Sequence, residues 1–178
     1  MRSSAARLPR LFFAIWPPPG RAAALHAWAE AVQPACGGRV TRADAIHLTL
    51  SFLGEIPEAA IGGAIQAARC LRCLVHAVPM EQAVYWRHNR IIWVGPRQAP
   101  APLQCLAEDL KSALENAGFK LEDRPFQAHV TLVRKAREPR ELPALPPLDW
   151  PVNDFLLVRS RPAAAGSAYE MLQRFPLD

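Results

Sequence analysis

The chain has 178 residues, 51% of them apolar and 21% charged, with a net charge of +5. That is globular composition with enough length for a core, which excludes a disordered or low-complexity protein. No apolar run approaches the roughly 18 residues that a membrane-spanning helix needs.

A pI near 9.4 favours a polyanionic partner. The four cysteines offer a single C-x-x-C, Cys70 to Cys73. Structural zinc needs four ligands, so free thiols in a reducing compartment are expected, with no metal and no cofactor. The basic opening leads into an apolar run, Leu11 to Trp16, that is shorter than a secretory core and has no small-residue cleavage site after it. Residues 1–9 are therefore expected as a flexible arm of a cytoplasmic, monomeric protein.

Taken in order, Arg10 to Trp16 reads as a strand stopped by Pro17-Pro18-Pro19-Gly20. A helix with Leu25, Trp28, Ala29 and Val32 on one face comes next and is expected to end before Pro34. Arg39 to Thr41 suggests a short strand and Ile46 to Leu53 a longer one. Pro57 opens a second helix, striped by Ile61, Ala64, Ile65 and Ala68. Ala83–Arg87 and Ile91–Gly95 form a hairpin around His88-Asn89-Arg90. Pro100 and Pro102 introduce a third helix, carrying Leu103, Leu106, Leu110 and Leu114 on one face and stopped by Gly118. Phe126–Val133 is a strand, Ala136–Pro151 a proline-rich loop, and Asp154–Arg159 and Ala168–Phe175 two closing strands.

Hairpins mixed with helices point to an α+β fold with antiparallel sheets rather than a doubly wound parallel one. No linker divides the chain, so residues 1–178 are expected as a single domain.

Within this order a tetrapeptide recurs, His47-Leu48-Thr49-Leu50 in the first half and His129-Val130-Thr131-Leu132 in the second. Residues i and i+2 of a strand share a face, so each histidine should project with its threonine while the aliphatic residues pack inward. The placement predicts two lobes across a cleft. An imidazole exchanges protons near neutrality with little tuning. A pair of them suits in-line displacement at a phosphodiester, one activating water and the other protonating the leaving oxygen. Threonine hydroxyls can donate to the non-bridging oxygens. No P-loop, dinucleotide fingerprint or nucleophile elbow competes with this reading.

These motifs, with the opening Arg10-Leu11-Phe12-Phe13-Ala14-Ile15, the run Ser51-Phe52-Leu53-Gly54-Glu55 and Arg134, give the chain a resemblance to a known family. It resembles the two-histidine phosphoesterases, most closely the bacterial and archaeal RNA 2′,3′-cyclic phosphodiesterases, also called 2′-5′ RNA ligases. The resemblance implies a bilobal fold of two antiparallel sheets facing a central cleft, with helices on the outer faces. It further implies that His47 donates a proton to the leaving 3′ oxygen, that His129 activates water, and that Thr49, Thr131 and Arg134 hold the phosphate. The implied substrate is RNA ending in a 2′,3′-cyclic phosphate. A small nucleoside cyclic phosphate, or a catalytically silent RNA-binding module, are the alternatives.

The pair Gln127-Ala128 before the second motif departs from the Arg-Pro or similar pair common in that family. Arg134 has opposite strand parity to His129 and Thr131, so it reaches the phosphate only if the strand bends or bulges between Leu132 and Arg134. Tyr169 can contact substrate or pack at a lobe edge. Trp86 and Trp93 read as packing residues. Arg39, Arg42, Arg87, Arg90, Arg159 and Arg161 are expected to form a cationic approach.

Overall fold

In the computed structural model residues 8–163 and 166–178 are described, so the arm expected over residues 1–9 lies mostly outside the described part. The strands are β1 (Arg10–Ile15), β2 (Arg39–Val40), β3 (Leu48–Glu55), β4 (His76–Pro79), β5 (Gln82–Trp86), β6 (Ile91–Gly95), β7 (Val130–Arg134), β8 (Asp149–Val152), β9 (Asp154–Ala163) and β10 (Gly166–Pro176). The helices are α1 (Pro19–Cys36), α2 (Ile61–Arg69) and α3 (Ala101–Asn116). None of the described helices is long and apolar enough to cross a membrane.

The fold is α+β with two antiparallel sheets, as expected, but of unequal size. One has eight strands in the order β10-β9-β1-β3-β7-β6-β5, with β2 added against β7; the other pairs only β4 with β8. At the centre of the large sheet β3 meets β7 through one pair, Leu48 and Val130. The sheet therefore consists of two walls joined at that point. β1 shows how the layers divide. Leu11, Phe13 and Ile15 enter the main core with the apolar stripes of all three helices. Phe12 and Ala14 join Leu156 and Val158 in a second cluster, with Trp16 and Tyr169 packed against it. Successive side chains of a strand point to opposite faces, so one face of β1 carries helices and the other floors the cleft.

Three expectations change, the first being that the strand expected over Phe126–Val133 begins only at Val130. α1 runs through Pro34 to Cys36 instead of stopping before the proline. Proline deprives only one carbonyl of its helical partner, and that carbonyl belongs to Glu30, an exposed residue in the last turns. Furthermore, the stretch expected as a loop over Ala136–Pro151 contains most of β8, and its partner β4 is a further strand beyond those the sequence suggests. Proline density obscures the alternation of Trp150 and Val152, both buried. Pro151 is tolerated because a strand in a two-stranded sheet is an edge.

Candidate active site

His47 and His129 each sit at the threshold of a strand, one residue before β3 and β7 begin. Both imidazoles fold back on their own backbone. Nδ1 of His47 lies 2.7 Å from the Ala45 carbonyl oxygen, and Nδ1 of His129 lies 2.8 Å from that of Gln127. A carbonyl oxygen can only accept, so each Nδ1 carries the proton and each Nε2 is the nitrogen left for chemistry.

The strand parity holds. Leu48 and Val130 are buried while Thr49 and Thr131 keep partial exposure. In the register set by the Leu48–Val130 pair, His47 stands across from Thr131 and Thr49 across from His129. The four polar residues thus form a quadrilateral around the one point where the walls touch. All four, with Arg134, line a cleft of about 820 Å³.

Arg134 reaches the cleft through a bulge. Trp93 pairs with Thr131 and Ile92 with Val133, leaving Leu132 as an extra residue in β7. Such an insertion reverses the parity of the residues after it, so Leu132 and Val133 are both buried and Arg134 emerges beside Thr131. Thr41 holds the bulge in place. Its backbone N–H donates to the Leu132 carbonyl (2.8 Å) and its hydroxyl to the Thr131 carbonyl (3.0 Å). β3 carries a matching irregularity, since Phe13 pairs with Ser51 and Ala14 with Thr49, which leaves Leu50 unpaired. The last residue of each tetrapeptide is therefore the bulged one. Phe52 occupies in the first copy the place that Arg134 occupies in the second, and it is 45% exposed in the cleft.

Aromatic rings surround both imidazoles. Trp16 stacks on His47 with centroids 4.7 Å apart, Phe12 lies at 5.0 Å, and Tyr169 meets it edge-on at 5.2 Å. On the opposite wall Trp86 is 4.9 Å from His129 and Trp93 is 6.1 Å away, edge-on. Burial among these rings pushes the His47 pKa down to about 4, against the upward pull of its Ala45 hydrogen bond, and the charge of Arg134 adds to the fall. His129 is lowered by the same burial, opposed by its Gln127 hydrogen bond and assisted by Arg124 and Arg134.

Tyr169 packs against His47 and also lines the cleft, whereas Trp93, 2% exposed, is a packing residue. Trp86 packs on Trp93 at 4.9 Å but also lines the cleft.

The expected arginine set is partly corrected. Arg39 and Arg42 line the cleft, whereas Arg87, Arg90, Arg159 and Arg161 do not. Arg87 is drawn to Glu138, Arg90 donates to the Ala136 carbonyl, and Arg159 and Arg161 bind Glu170. Arg10, Lys111 and Arg124 take their place. Alternation along β1 could have revealed Arg10 and Phe12. Lys111 and Arg124 come from α3 and the segment after it, which only folding brings near the motifs.

The fold and its cleft are those of a phosphoesterase. The LigT like Phosphoesterase family model matches residues 15–93 and 94–169, one motif in each segment, and the chain belongs to that family. It is 35% identical over 171 residues to the RNA 2′,3′-cyclic phosphodiesterase of Escherichia coli K12, covering 94% of this chain and 96% of the relative. The enzyme of the same name from Thermus thermophilus is 33% identical over 179 residues, covering 94% and 90%. A crystal structure of E. coli LigT complexed with 3′-AMP superimposes with a TM-score of 0.89 at 33% identity, covering 96% of this chain and 98% of that one.

Proposed function

We propose that the protein is an RNA 2′,3′-cyclic phosphodiesterase acting by general acid–base catalysis, without a metal. His129 Nε2 takes a proton from water as its oxygen bonds to phosphorus. The P–O3′ bond breaks opposite, and His47 Nε2 gives its proton to the departing 3′ oxygen. The products are a 2′-phosphomonoester and a free 3′ hydroxyl. Thr49 and Thr131 donate to the non-bridging oxygens, and Arg134 balances the charge that grows there. With the 5′ hydroxyl of a second strand attacking in place of water, the same steps leave a 2′-5′ phosphodiester and a free 3′ hydroxyl, which is a ligation.

The observation that carries this reading is the pair of Nδ1 hydrogen bonds to carbonyls two residues back. They leave two free Nε2 atoms in one cleft, each across from a threonine. The donor role of His47 follows the family resemblance. Burial keeps the ring neutral in the free protein, so the proton it gives is taken up when an anionic phosphate enters the cleft and favours the imidazolium. The named activity of the relatives supports the RNA substrate.

The test offers an RNA oligomer ending in a 2′,3′-cyclic phosphate with chelator present. Turnover to the 2′-phosphate is expected, and His47→Ala or His129→Ala should each lower kcat by at least about 10². Full activity in either variant would end the paired-imidazole mechanism, and dependence on added metal would end its metal-free part.

A further inference from the structure

We propose that Arg10 holds a backbone phosphate upstream of the reacting RNA terminus, so that the strand leaves the cleft across β1. This rests on the phosphodiesterase reading above, with His47 as proton donor. In an in-line displacement the leaving oxygen departs opposite the attacking water. That 3′ oxygen belongs to the terminal ribose, so the ribose and the strand attached to it lie against the His47 wall.

On this wall Arg10, Phe12 and Ala14 alternate onto the cleft face of β1. Ala14 pairs with Thr49, level with the reacting group, and Phe12 pairs with Phe52. Arg10 therefore stands four residues further along, about 13 Å at the rise of a strand. It is exposed and makes no ion pair among the described residues. Of the other cleft cations, Arg42 is engaged with Asp44 at 2.9 Å, Lys111 with Asp123 at 3.3 Å and Arg124 with Glu122 at 2.9 Å. Arg39 and Arg134 are register partners across β2 and β7, on the opposite wall.

Arg10 also stands where the cleft continues. With Ser160 it lines both the cleft and a second cavity of about 450 Å³. The other two arginines of that cavity are taken, Arg159 by Glu58 at 2.6 Å and Arg161 by Glu170 at 2.9 Å. Arg10 is thus the unpaired cation, among the described residues, on the path a strand follows out of the site. A mononucleoside cyclic phosphate has one phosphate, which the catalytic groups hold. Only a longer strand brings a second anion to Arg10, so this contact selects RNA ends over mononucleotides.

The experiment compares kcat/KM for a short RNA with a 2′,3′-cyclic phosphate end and for a mononucleoside 2′,3′-cyclic phosphate, in wild type, Arg10→Ala and Arg10→Lys. The oligomer-to-mononucleotide ratio should fall about fivefold in Arg10→Ala and recover most of its value in Arg10→Lys. The salt dependence of oligomer kcat/KM should become shallower by about 0.7 in log–log slope, the loss of one single-strand phosphate contact. A ratio and slope equal to wild type in Arg10→Ala would overturn the assignment, as would equal losses on both substrates. Wild-type inactivity on both substrates would instead remove the phosphodiesterase reading beneath it.

Discussion

Burial and the nearby Arg134 charge hold both cleft imidazoles below their ordinary value of 6.5. An anionic phosphate between them acts in the opposite direction, because a negative charge favours the protonated ring. The pH profile of kcat/KM reports the free protein and that of kcat the complex. The limbs of the kcat profile should therefore lie at higher pH than those of kcat/KM, and coincident limbs would contradict the proposed site. Arg134→Ala should weaken substrate binding and shift the acidic limb of kcat/KM upward, since a cation that disfavours protonation is gone. His47 also links pH to stability. The unfolded chain binds a proton near 6.5 that the folded chain accepts only near 4. The contribution of the neutral ring is complete above the unfolded value and is lost as pH falls through that window. Melting temperatures measured from pH 7 to pH 4 should decline, and His47→Phe should flatten the decline.

At the level of elements, the decisive feature is the paired bulge at Leu50 and Leu132. Without the second one Arg134 would point into the core side, where its charge could not be buried unpaired. The bulge depends on the close approach of β2. Gly38 has φ +78°, and a Cβ there would meet the Arg134 carbonyl oxygen at 2.5 Å. Gly38→Ala should accordingly cost at least about 1 kcal/mol and raise KM by loosening β2 from β7. Denaturant unfolding and steady-state kinetics on the one variant test both effects. A stable variant with normal KM would show that β2 does not set the aim of Arg134.

Across the whole molecule, the two walls share one core. The main cluster takes Leu11 and Leu157 from one wall, Val94 and Leu132 from the other, and the buried faces of all three helices. Such sharing predicts one cooperative unfolding transition, with calorimetric and van't Hoff enthalpies equal. Two separated transitions would mean that the lobes are independent domains. The second family-model segment and the first meet between Trp93 and Val94, inside β6, so the duplicated pattern does not coincide with a break in the packing.

Much of this was legible in the order of residues, for definite reasons. Alternation at period two exposed the two His-x-Thr faces, and the 3.6-residue period exposed the stripes of α1, α2 and α3. The parity of Arg134 stated what the strand would have to do, without showing that it does so. What remained hidden arises between segments distant in the chain. The pairing of β4 with β8, the engagement of Arg87, Arg159 and Arg161 by glutamates, and the rings of Phe12, Trp16 and Tyr169 around His47 have no local signal. A strand pattern depends on neighbours two residues apart, so the chain by itself determined which groups face together. Pairing register, bulges and burial depend on what lies opposite, so only the tertiary structure decided how far each imidazole is desolvated and which arginines stay free.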